Sequence, residues 1–321
     1  MPRPVSGPPW ACRRIVDGNA RYHVTHQTRY AYSGKVTSAH QLAHLKPRNT
    51  HWQTVESHTL DIEPNPTERA EGVDYFGNDV VRFMIDAPHE VLNVVARSVV
   101  ELGAHAPDEA AGSPAWEQAL AAPGVWGPDA DLDVEQYRVA SPMVPLLEES
   151  IAYALASFAP GRPWLEALLD LTCRIHAEFR YDPKATTLTT QVREVLEHRR
   201  GVCQDFAHLM LSCLRSLGLP ARYVSGYVLN HVSPGTERLS GADASHAWVA
   251  AHCPRLGWVA FDPTNGKLAD LEFVTLGWGR EFSDVTPLCG VVLGGARQKL
   301  TVAVDVQPLA NNEFRPSGAV A

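Results

Sequence analysis

The chain has 321 residues, 45% apolar and 20% charged, and its 28 basic and 36 acidic side chains give a net charge of −8. At a typical ~150 residues per domain, this length predicts about two domains, each able to bury a core. The acidic balance argues against a nucleic-acid-binding surface, which usually carries an excess of lysine and arginine. No apolar stretch approaches the ~20 residues that span a bilayer, so we expect no membrane insertion.

The six cysteines are spread along the chain without a C-x-x-C pair. This spacing is typical neither of a disulfide scaffold nor of a zinc site. Residues 1–20 are rich in proline and arginine, and they lack the apolar stretch of a secretory signal, so we interpret them as a disordered leader. We therefore expect a cytoplasmic protein with reduced cysteines, and neither a metal ion nor another cofactor.

From Arg21 onward, short segments with alternating apolar and polar residues are typical of β-strands. The first segment ends at a predicted turn at Ser33-Gly34. Four more follow at Ser38–Pro47, Gln53–Glu63, Asp79–Ile85 and Val91–Leu102. Strands at this spacing predict a small β-sandwich domain over residues 21–103. Residues 104–141, which begin with a stretch rich in alanine, proline and glycine, are interpreted as a linker.

Beyond the linker the apolar residues follow a helical period. The spacing predicts helices at Pro142–Ala156, Pro163–Phe179, Thr190–His198 and from Cys203. Strands return at Ala221–Leu229, Ser245–His252, Gly257–Asp262 and in three segments up to Val306. Helices followed by strands, without β-α-β alternation, predict an α+β core over residues 142–306, and residues 307–321 remain as a tail.

Cys203 lies in the first turn of an amphipathic helix that Gly218-Leu219-Pro220 ends. The free N–H groups and the positive end of the helix dipole at this position favour the nucleophilic thiolate. The same amides can stabilise an oxyanion. A small buried residue at a helix start is the plainer interpretation of one cysteine, so Cys203 alone is only a candidate nucleophile.

His246 and Asp262 lie on the two strands of a predicted hairpin whose turn falls at residues 253–256. A pairing midpoint at residue 254 places the two side chains directly opposite each other on one face of the sheet. An imidazole beside a carboxylate is the arrangement that activates a nucleophile. Alone, His246 suits a structural role and Asp262 suits a turn, but their shared register favours a functional pair.

Four sequence blocks in chain order resemble the bacterial transglutaminase-like superfamily. They are RGVCQDFAH from Arg200, GLPARYVSGY from Gly218, SHAWV from Ser245 and GWVAFDPTN from Gly257. Residues 22–102 resemble the small N-terminal β-domain of these bacterial proteins, and residues 279–285 resemble their C-terminal block. One departure from the family pattern is Phe273, where the family often carries a histidine.

The resemblance implies a papain-like core with a Cys203–His246–Asp262 triad. In that triad Cys203 attacks a carboxamide carbon, His246 takes and returns a proton, and Asp262 orients the imidazole. The resemblance therefore implies a thiol enzyme that acts on peptide or amide bonds through an acyl-enzyme, with a peptide or protein as its substrate.

Four other side chains near these blocks have lower-ranked roles. Trp248 and Tyr181 are candidates for substrate contact, with core packing as the alternative for each. Asp205 is expected to cap the first-turn amides, and His208 is expected to point away from the thiol. Three histidines of the N-terminal strands are expected at exposed positions: His26, His40 and His44.

Whether the acyl group goes to water or to an amine is left open by the sequence, because both reactions use the same triad. Hydrolysis by a cysteine protease or amidase is slightly favoured over transglutaminase-type transfer, since the superfamily includes many such hydrolases. The alternative is a non-catalytic binding or scaffold protein on the same fold. The presence of all three triad residues argues against that alternative, and the oligomeric state stays open.

Overall fold

A computed structural model of the protein describes residues 18–105, 107, 112–120, 131–229 and 245–309. Most of the expected leader and tail, and part of the expected linker, lie outside these residues. Within them, fourteen strands and five α-helices follow one another along the chain. The strands are β1 (Asn19–Ala43), β2 (Gln53–Glu63), β3 (Glu68–Val73), β4 (Asp79–Ile85), β5 (His89–Gly103), β6 (Arg180–Tyr181), β7 (Arg200–Gly201), β8 (Ala221–Val228), β9 (Ser245–Cys253), β10 (Gly257–Asp262), β11 (Lys267–Leu268), β12 (Phe273–Gly279), β13 (Leu288–Gly294) and β14 (Gln298–Pro308). The helices are α1 (Leu132–Glu135), α2 (Glu148–Leu155), α3 (Trp164–Glu178), α4 (Val192–His198) and α5 (Cys203–Ser216).

The first sheet is organised by β1, which runs without a break for 25 residues. One side of β1 pairs antiparallel with β5 and then β4, and its other side pairs with β14 and then β13. With β2 and β3 at the edges, seven strands form one curled sheet around an apolar core, so the β-rich N-terminal domain is confirmed. The expected turn at Ser33-Gly34 is wrong, because the Ser33 N–H donates to the Arg297 carbonyl at 2.8 Å and holds β1 extended.

The two C-terminal strands belong to this first sheet, whereas the sequence analysis places them in the core. β13 pairs with the second half of β1 and β14 pairs with its first half. Apolar packing explains the difference, since Val304 and Val306 of β14 are buried in the same cluster as Tyr22 and Val24 of β1. The expected domain bounds stay a prediction, but the chain returns to its N-terminal sheet after the core strands.

The second sheet has five strands in the order β11-β10-β9-β8-β12, and every neighbouring pair is antiparallel. Helices α3 and α5 join this sheet in the largest apolar cluster of the described residues. It includes Leu168 of α3, Phe206 and Met210 of α5, and Val249 of β9. Helices packed on an antiparallel sheet confirm the α+β fold expected for the core.

The first core helix begins later than expected, at Glu148 rather than at residue 142. Pro145 disfavours helical geometry in Val144 before it, and Ser141 instead bonds Val144 in both directions across a turn. Part of the expected linker also packs on the core, since Tyr137 is buried and its carbonyl accepts the Ala221 N–H at 3.1 Å.

The two sheets are joined by apolar and polar contacts. Val24 of β1 and Val304 of β14 share a cluster with Tyr227 of β8. Gln53 donates to the Thr275 carbonyl at 2.7 Å and accepts the Thr275 N–H at 2.8 Å. These contacts hold one face of β1 and β14 over the core. A cleft lies between that face and the core.

Candidate active site

Cys203 is the first residue of α5, and its neighbours fix the start of that helix. The Asp205 carboxylate accepts the Val202 N–H at 2.8 Å and the Thr186 hydroxyl at 2.7 Å. Gly201 has room only for hydrogen, because a Cβ there would lie 2.8 Å from the Asp205 side chain. Asp205 therefore binds a backbone amide at the helix start, and Cys203 lies half-buried at the positive end of the helix dipole.

His246 and Asp262 are in direct contact, with His246 Nε2 2.8 Å from Asp262 Oδ2. The expected register is wrong by two residues, because β10 pairs Phe261 with Val249, which puts Asp262 level with Trp248. The turn closes one residue later than expected, with Gly257 in a left-handed conformation at φ +68°. Since side chains alternate with period two, this shift keeps both side chains on one face, and they meet diagonally.

The Asp262 carboxylate is fully buried and tightly held. Its Oδ1 accepts the N–H groups of Thr264 (2.8 Å) and Asn265 (3.2 Å), while its Oδ2 accepts the Asn265 side-chain amide at 2.6 Å. Burial alone would raise the pKa of Asp262, but the charge of His246 and these hydrogen bonds lower it. The carboxylate therefore stays ionised and fixes the orientation of the imidazole.

The thiol of Cys203 lies beside the imidazole of His246. Burial alone would lower the pKa of His246, but the charge and hydrogen bond of Asp262 raise it, and the hydrogen bond and charge of Cys203 add to the increase. Because Asp262 occupies Nε2, Nδ1 is the nitrogen that remains for the thiol. The structure thus brings together all three side chains of the expected triad.

Trp248 lies on the closed side of the imidazole and not in the cleft. It is 1% exposed, and its ring centroid is 6.2 Å from that of His246 and 5.3 Å from that of Phe273. The ring packs over Gly226, where a Cβ would lie 2.5 Å from it. Of the two roles considered for Trp248, the structure shows packing, because a fully buried ring has no surface left for a substrate.

Tyr181 lies on the open side of the site. In the pairing of β6 with β7 it lies opposite Gly201, which precedes Cys203 by two residues. Tyr181 is 53% exposed. Burial raises the pKa of Tyr181, and the charges of Cys203 and Asp205 add to the increase. Substrate contact by Tyr181 stays a prediction.

A cavity of about 300 Å³ opens beside Cys203 and His246. The core contributes Tyr223, Ser225 and Phe282 to its lining, and the N-terminal sheet contributes side chains from β1 and β14. The β1 residues are His26, Thr28 and Tyr30, and the β14 residues are Leu300 and Val302. The site therefore lies between the two sheets, an arrangement that the sequence analysis missed.

The expectation that His26 and His44 are exposed is wrong. His26 is 1% exposed, and its ring nitrogens lie 2.9 Å from the Tyr227 hydroxyl and 2.9 Å from the Thr28 hydroxyl. His44 is also buried, with Nδ1 3.0 Å from the Thr286 carbonyl. His26 shares its face of β1 with buried Val24 and Thr28, but alternation in a single strand does not reveal that a second sheet covers that face.

His208 is buried on α5, where its Nε2 accepts the Phe282 N–H at 3.2 Å and its ring packs on Tyr223. It thus supports the wall of the cavity from behind. In the part of the chain that the structure describes, no cluster of three or more histidine, cysteine or acidic side chains has a geometry that could hold a metal ion. No described helix is both long and apolar enough to cross a bilayer.

Comparisons with known proteins identify two family regions in the chain. Residues 22–101 match the bacterial transglutaminase-like N-terminal region, and residues 153–263 match the transglutaminase-like superfamily. An uncharacterized protein of Mycobacterium tuberculosis is 39% identical over 304 residues, which cover 91% of this chain and 94% of that protein. A Protein-glutamine gamma-glutamyltransferase of Pseudomonas aeruginosa is 32% identical over 123 residues, which cover 32% of this chain and 18% of that protein.

A crystal structure from Cytophaga hutchinsonii, named "Putative Cysteine Protease", superposes with a TM-score of 0.70. The match covers 92% of this chain and 93% of that one at 19% sequence identity, so it shows a shared fold. The two sequence matches, the common fold and a cysteine–histidine–aspartate cluster at a helix start lead to one conclusion: the chain belongs to the transglutaminase-like superfamily and carries the bacterial transglutaminase-like N-terminal region.

Proposed function

We propose that the protein is a thiol enzyme that acts on peptide or amide bonds through an acyl-enzyme at Cys203. The observation that carries the proposal is the buried contact of 2.8 Å between His246 and Asp262, next to a cysteine that opens on a cavity. A carboxylate that orients an imidazole beside a thiol is the arrangement by which cysteine is activated for attack. A peptide or protein substrate and a cytoplasmic location belong to the same proposal.

In the first half-reaction the Cys203 thiolate attacks the carbonyl carbon of the amide. The raised pKa of His246 supports an imidazolium next to this thiolate at neutral pH. A tetrahedral intermediate forms, and His246 donates its Nδ1 proton to the nitrogen of the leaving amine. The carbon–nitrogen bond then breaks, the amine leaves, and a thioester remains on Cys203.

In the second half-reaction the neutral His246 removes a proton from the incoming water or amine. The oxygen or nitrogen attacks the thioester carbon, a second tetrahedral intermediate collapses, and the Cys203 thiolate leaves. Its charge is again balanced by protonated His246. Asp262 keeps the ring in place through both steps, because its Oδ2 holds Nε2 and its Oδ1 is anchored by the Thr264 and Asn265 amides.

We propose two donors that stabilise the negative oxygen of these intermediates. The first is the backbone N–H of Cys203, since the first N–H groups of a helix have no partner within it. The second is the hydroxyl of Tyr223, whose side chain lines the cavity together with Cys203. The charge of Cys203 contributes to the raised pKa of Tyr223, after the larger effect of burial, which supports this proximity.

Hydrolysis is the reaction we favour over acyl transfer. Cys203 is half-buried and the cavity beside it is open, so water can reach a thioester there. The Pseudomonas relative carries the name of an acyltransferase, and it is similar over only 32% of this chain. Transfer to an amine is therefore the competing outcome of the same acyl-enzyme.

The test is turnover of a reporter amide by purified variants. Cys203→Ala should abolish turnover, whereas Cys289→Ala, a half-buried cysteine of β13 outside the cavity, should leave it unchanged. Addition of a primary amine to the wild type should give mainly the free acid if hydrolysis dominates, and the new amide if transfer does. Wild-type turnover in Cys203→Ala would contradict the proposal and favour a binding protein on this fold.

A further inference from the structure

The face that the N-terminal sheet turns toward Cys203 is built from two paired strands. In the register of β1 and β14, Tyr30 lies opposite Leu300 and Thr28 lies opposite Val302. All four side chains line the cavity that contains Cys203. Because alternate residues point to the same side of a sheet, this register makes a continuous wall opposite the thiol.

The wall exposes apolar side chains beside the nucleophile. Leu300 is 51% exposed and Val302 is 45% exposed, and Leu188 on the other side of the cavity is 63% exposed. Single exposed apolar residues are ordinary, but a group of them around one opening marks a binding surface. A bound apolar side chain that covered this group would remove apolar surface from water, which favours binding.

The described lining contains no aspartate, glutamate, lysine or arginine. Its histidine on the N-terminal side, His26, is 1% exposed and has both ring nitrogens occupied by hydroxyls. The charges of the Cys203–His246 pair offset each other, so a charged substrate side chain would lose its water here without an unpaired opposite charge to receive it, which is costly. The volume of about 300 Å³ lies at the small end of ligand pockets and suits one side chain beside the reacting carbonyl.

We infer that the enzyme selects an acyl donor whose reacting carbonyl belongs to a neutral, apolar residue of leucine or phenylalanine size, and that β1 and β14 of the N-terminal sheet form the wall that recognises this side chain. This inference rests on the proposed thiol chemistry of Cys203. It gives the N-terminal domain a direct role in substrate choice.

The experiment uses the full-length chain and acetyl-aminoacyl chloromethyl ketones, which alkylate a reactive thiol and carry one side chain each. Labelling of Cys203 is followed by mass spectrometry with leucine, phenylalanine, glutamate and lysine reagents, and with iodoacetamide as a reagent without a side chain. We expect the leucine and phenylalanine reagents to label Cys203 at least about tenfold faster than the glutamate and lysine reagents. A difference of this size is typical of discrimination by an apolar pocket.

Two variants test the wall. Val302→Lys should lower the leucine-to-glutamate rate ratio about tenfold or more, because the ammonium disfavours an apolar side chain and attracts a carboxylate. The matched control is Val291→Lys on β13 of the same sheet, where Val291 is 67% exposed and lies outside the cavity. This control should keep the wild-type ratio and the wild-type iodoacetamide rate. In Val302→Lys the leucine-to-glutamate ratio cancels any effect of the new ammonium on the reactivity of the thiol itself.

Equal labelling by all four side chains in the wild type would overturn the inference, as would an unchanged ratio in Val302→Lys. Failure of the proposed function gives a different result. In that case iodoacetamide labels Cys203 no faster than the other cysteines, or Cys203→Ala retains turnover of the reporter amide.

Discussion

His246 and Asp262 touch at 2.8 Å although they are not opposite each other in their hairpin. The contact is diagonal: Asp262 ends β10 level with Trp248, and the imidazole reaches across from two residues away. Asp262 is buried and anchored by the turn that follows it, so the position of the imidazole depends on the end of a strand and on a tight turn.

Asp262→Asn should move the alkaline limit of kcat/KM to lower pH. The charge of Asp262 raises the pKa of His246 in the wild type, so the imidazolium persists into alkaline solution. Without that charge the imidazolium loses its proton at lower pH. A pH–rate profile on a reporter amide measures the limit, and a limit that stays in place would show that Asp262 has no electrostatic effect on His246.

Three variants of Cys203, His246 and Asp262 should rank in a fixed order of activity loss. Cys203→Ala should be the most impaired because it removes the nucleophile, and His246→Ala should come next because it removes the proton carrier. Asp262→Asn should be the mildest, with a loss of up to about 10⁴ in rate. Steady-state kinetics of the three proteins give the order, and an Asp262→Asn loss as large as that of Cys203→Ala would contradict it.

Cys203 should alkylate faster than the other described cysteines at pH 6–7. Burial raises the pKa of Cys173 and Cys289, and it raises that of fully buried Cys213 to about 12. Cys203 instead lies at a helix start beside an imidazolium, both of which favour the thiolate. Peptide mapping after brief iodoacetamide treatment measures this. Cys12 lies outside the described residues, and labelling of Cys12 alone, or uniform labelling, would argue against an activated nucleophile.

Tyr223→Phe should lower kcat and leave KM nearly unchanged. Loss of one donor to a developing oxyanion typically costs about 10²–10³ in kcat. The matched control is Tyr153→Phe, because Tyr153 is a buried tyrosine of α2 that lies outside the cavity. An equal loss in both variants would indicate a general effect of removing a buried hydroxyl. No loss in Tyr223→Phe would exclude the Tyr223 hydroxyl as a donor.

Acid should destabilise the fold partly through two buried histidines. Burial lowers the pKa of His26 and His208 to about 4. The unfolded imidazole, with a pKa near ~6.5, binds more protons between pH 4 and 6.5. Their contribution is therefore complete above pH 6.5 and is lost as pH falls, by about 1.4 kcal/mol per pH unit for each group. Between pH 4 and 6.5, unfolding of His208→Gln should take up about one proton fewer than unfolding of the wild type, so its free energy of unfolding should depend less steeply on pH. An unchanged pH dependence would contradict this.

The sequence is sufficient to predict the core fold and the proximity of Cys203, His246 and Asp262, because both depend on local patterns. The helical spacing of apolar residues in α5 predicts that Cys203 lies at a helix start. Because side chains in a strand alternate between two faces, His246 and Asp262 stay on one face even though the expected register is two residues off. The other parts depend on long-range pairing. β3 carries six exposed residues and no apolar alternation, so nothing in its sequence marks it as a strand.

The cleft between the sheets could not be predicted for the same reason. β14 pairs with β1 across more than 250 residues of chain, and only that pairing brings Val302 next to Thr28. His26 lies on the same face of β1 as Val24, but its burial depends on Tyr227, which belongs to the other sheet. A residue pattern records which face of a strand is apolar, but it does not record which distant strand will cover that face.

The most direct test of the account is the mass of the acyl-enzyme. Acid-quenched reactions with an acetyl-leucine reporter amide should show wild-type protein heavier by one acyl group, located on the peptide that contains Cys203. His246→Ala should accumulate far less of this species, and Cys203→Ala should show none. An acyl group found on another residue, or steady turnover in Cys203→Ala without a thioester, would contradict the account.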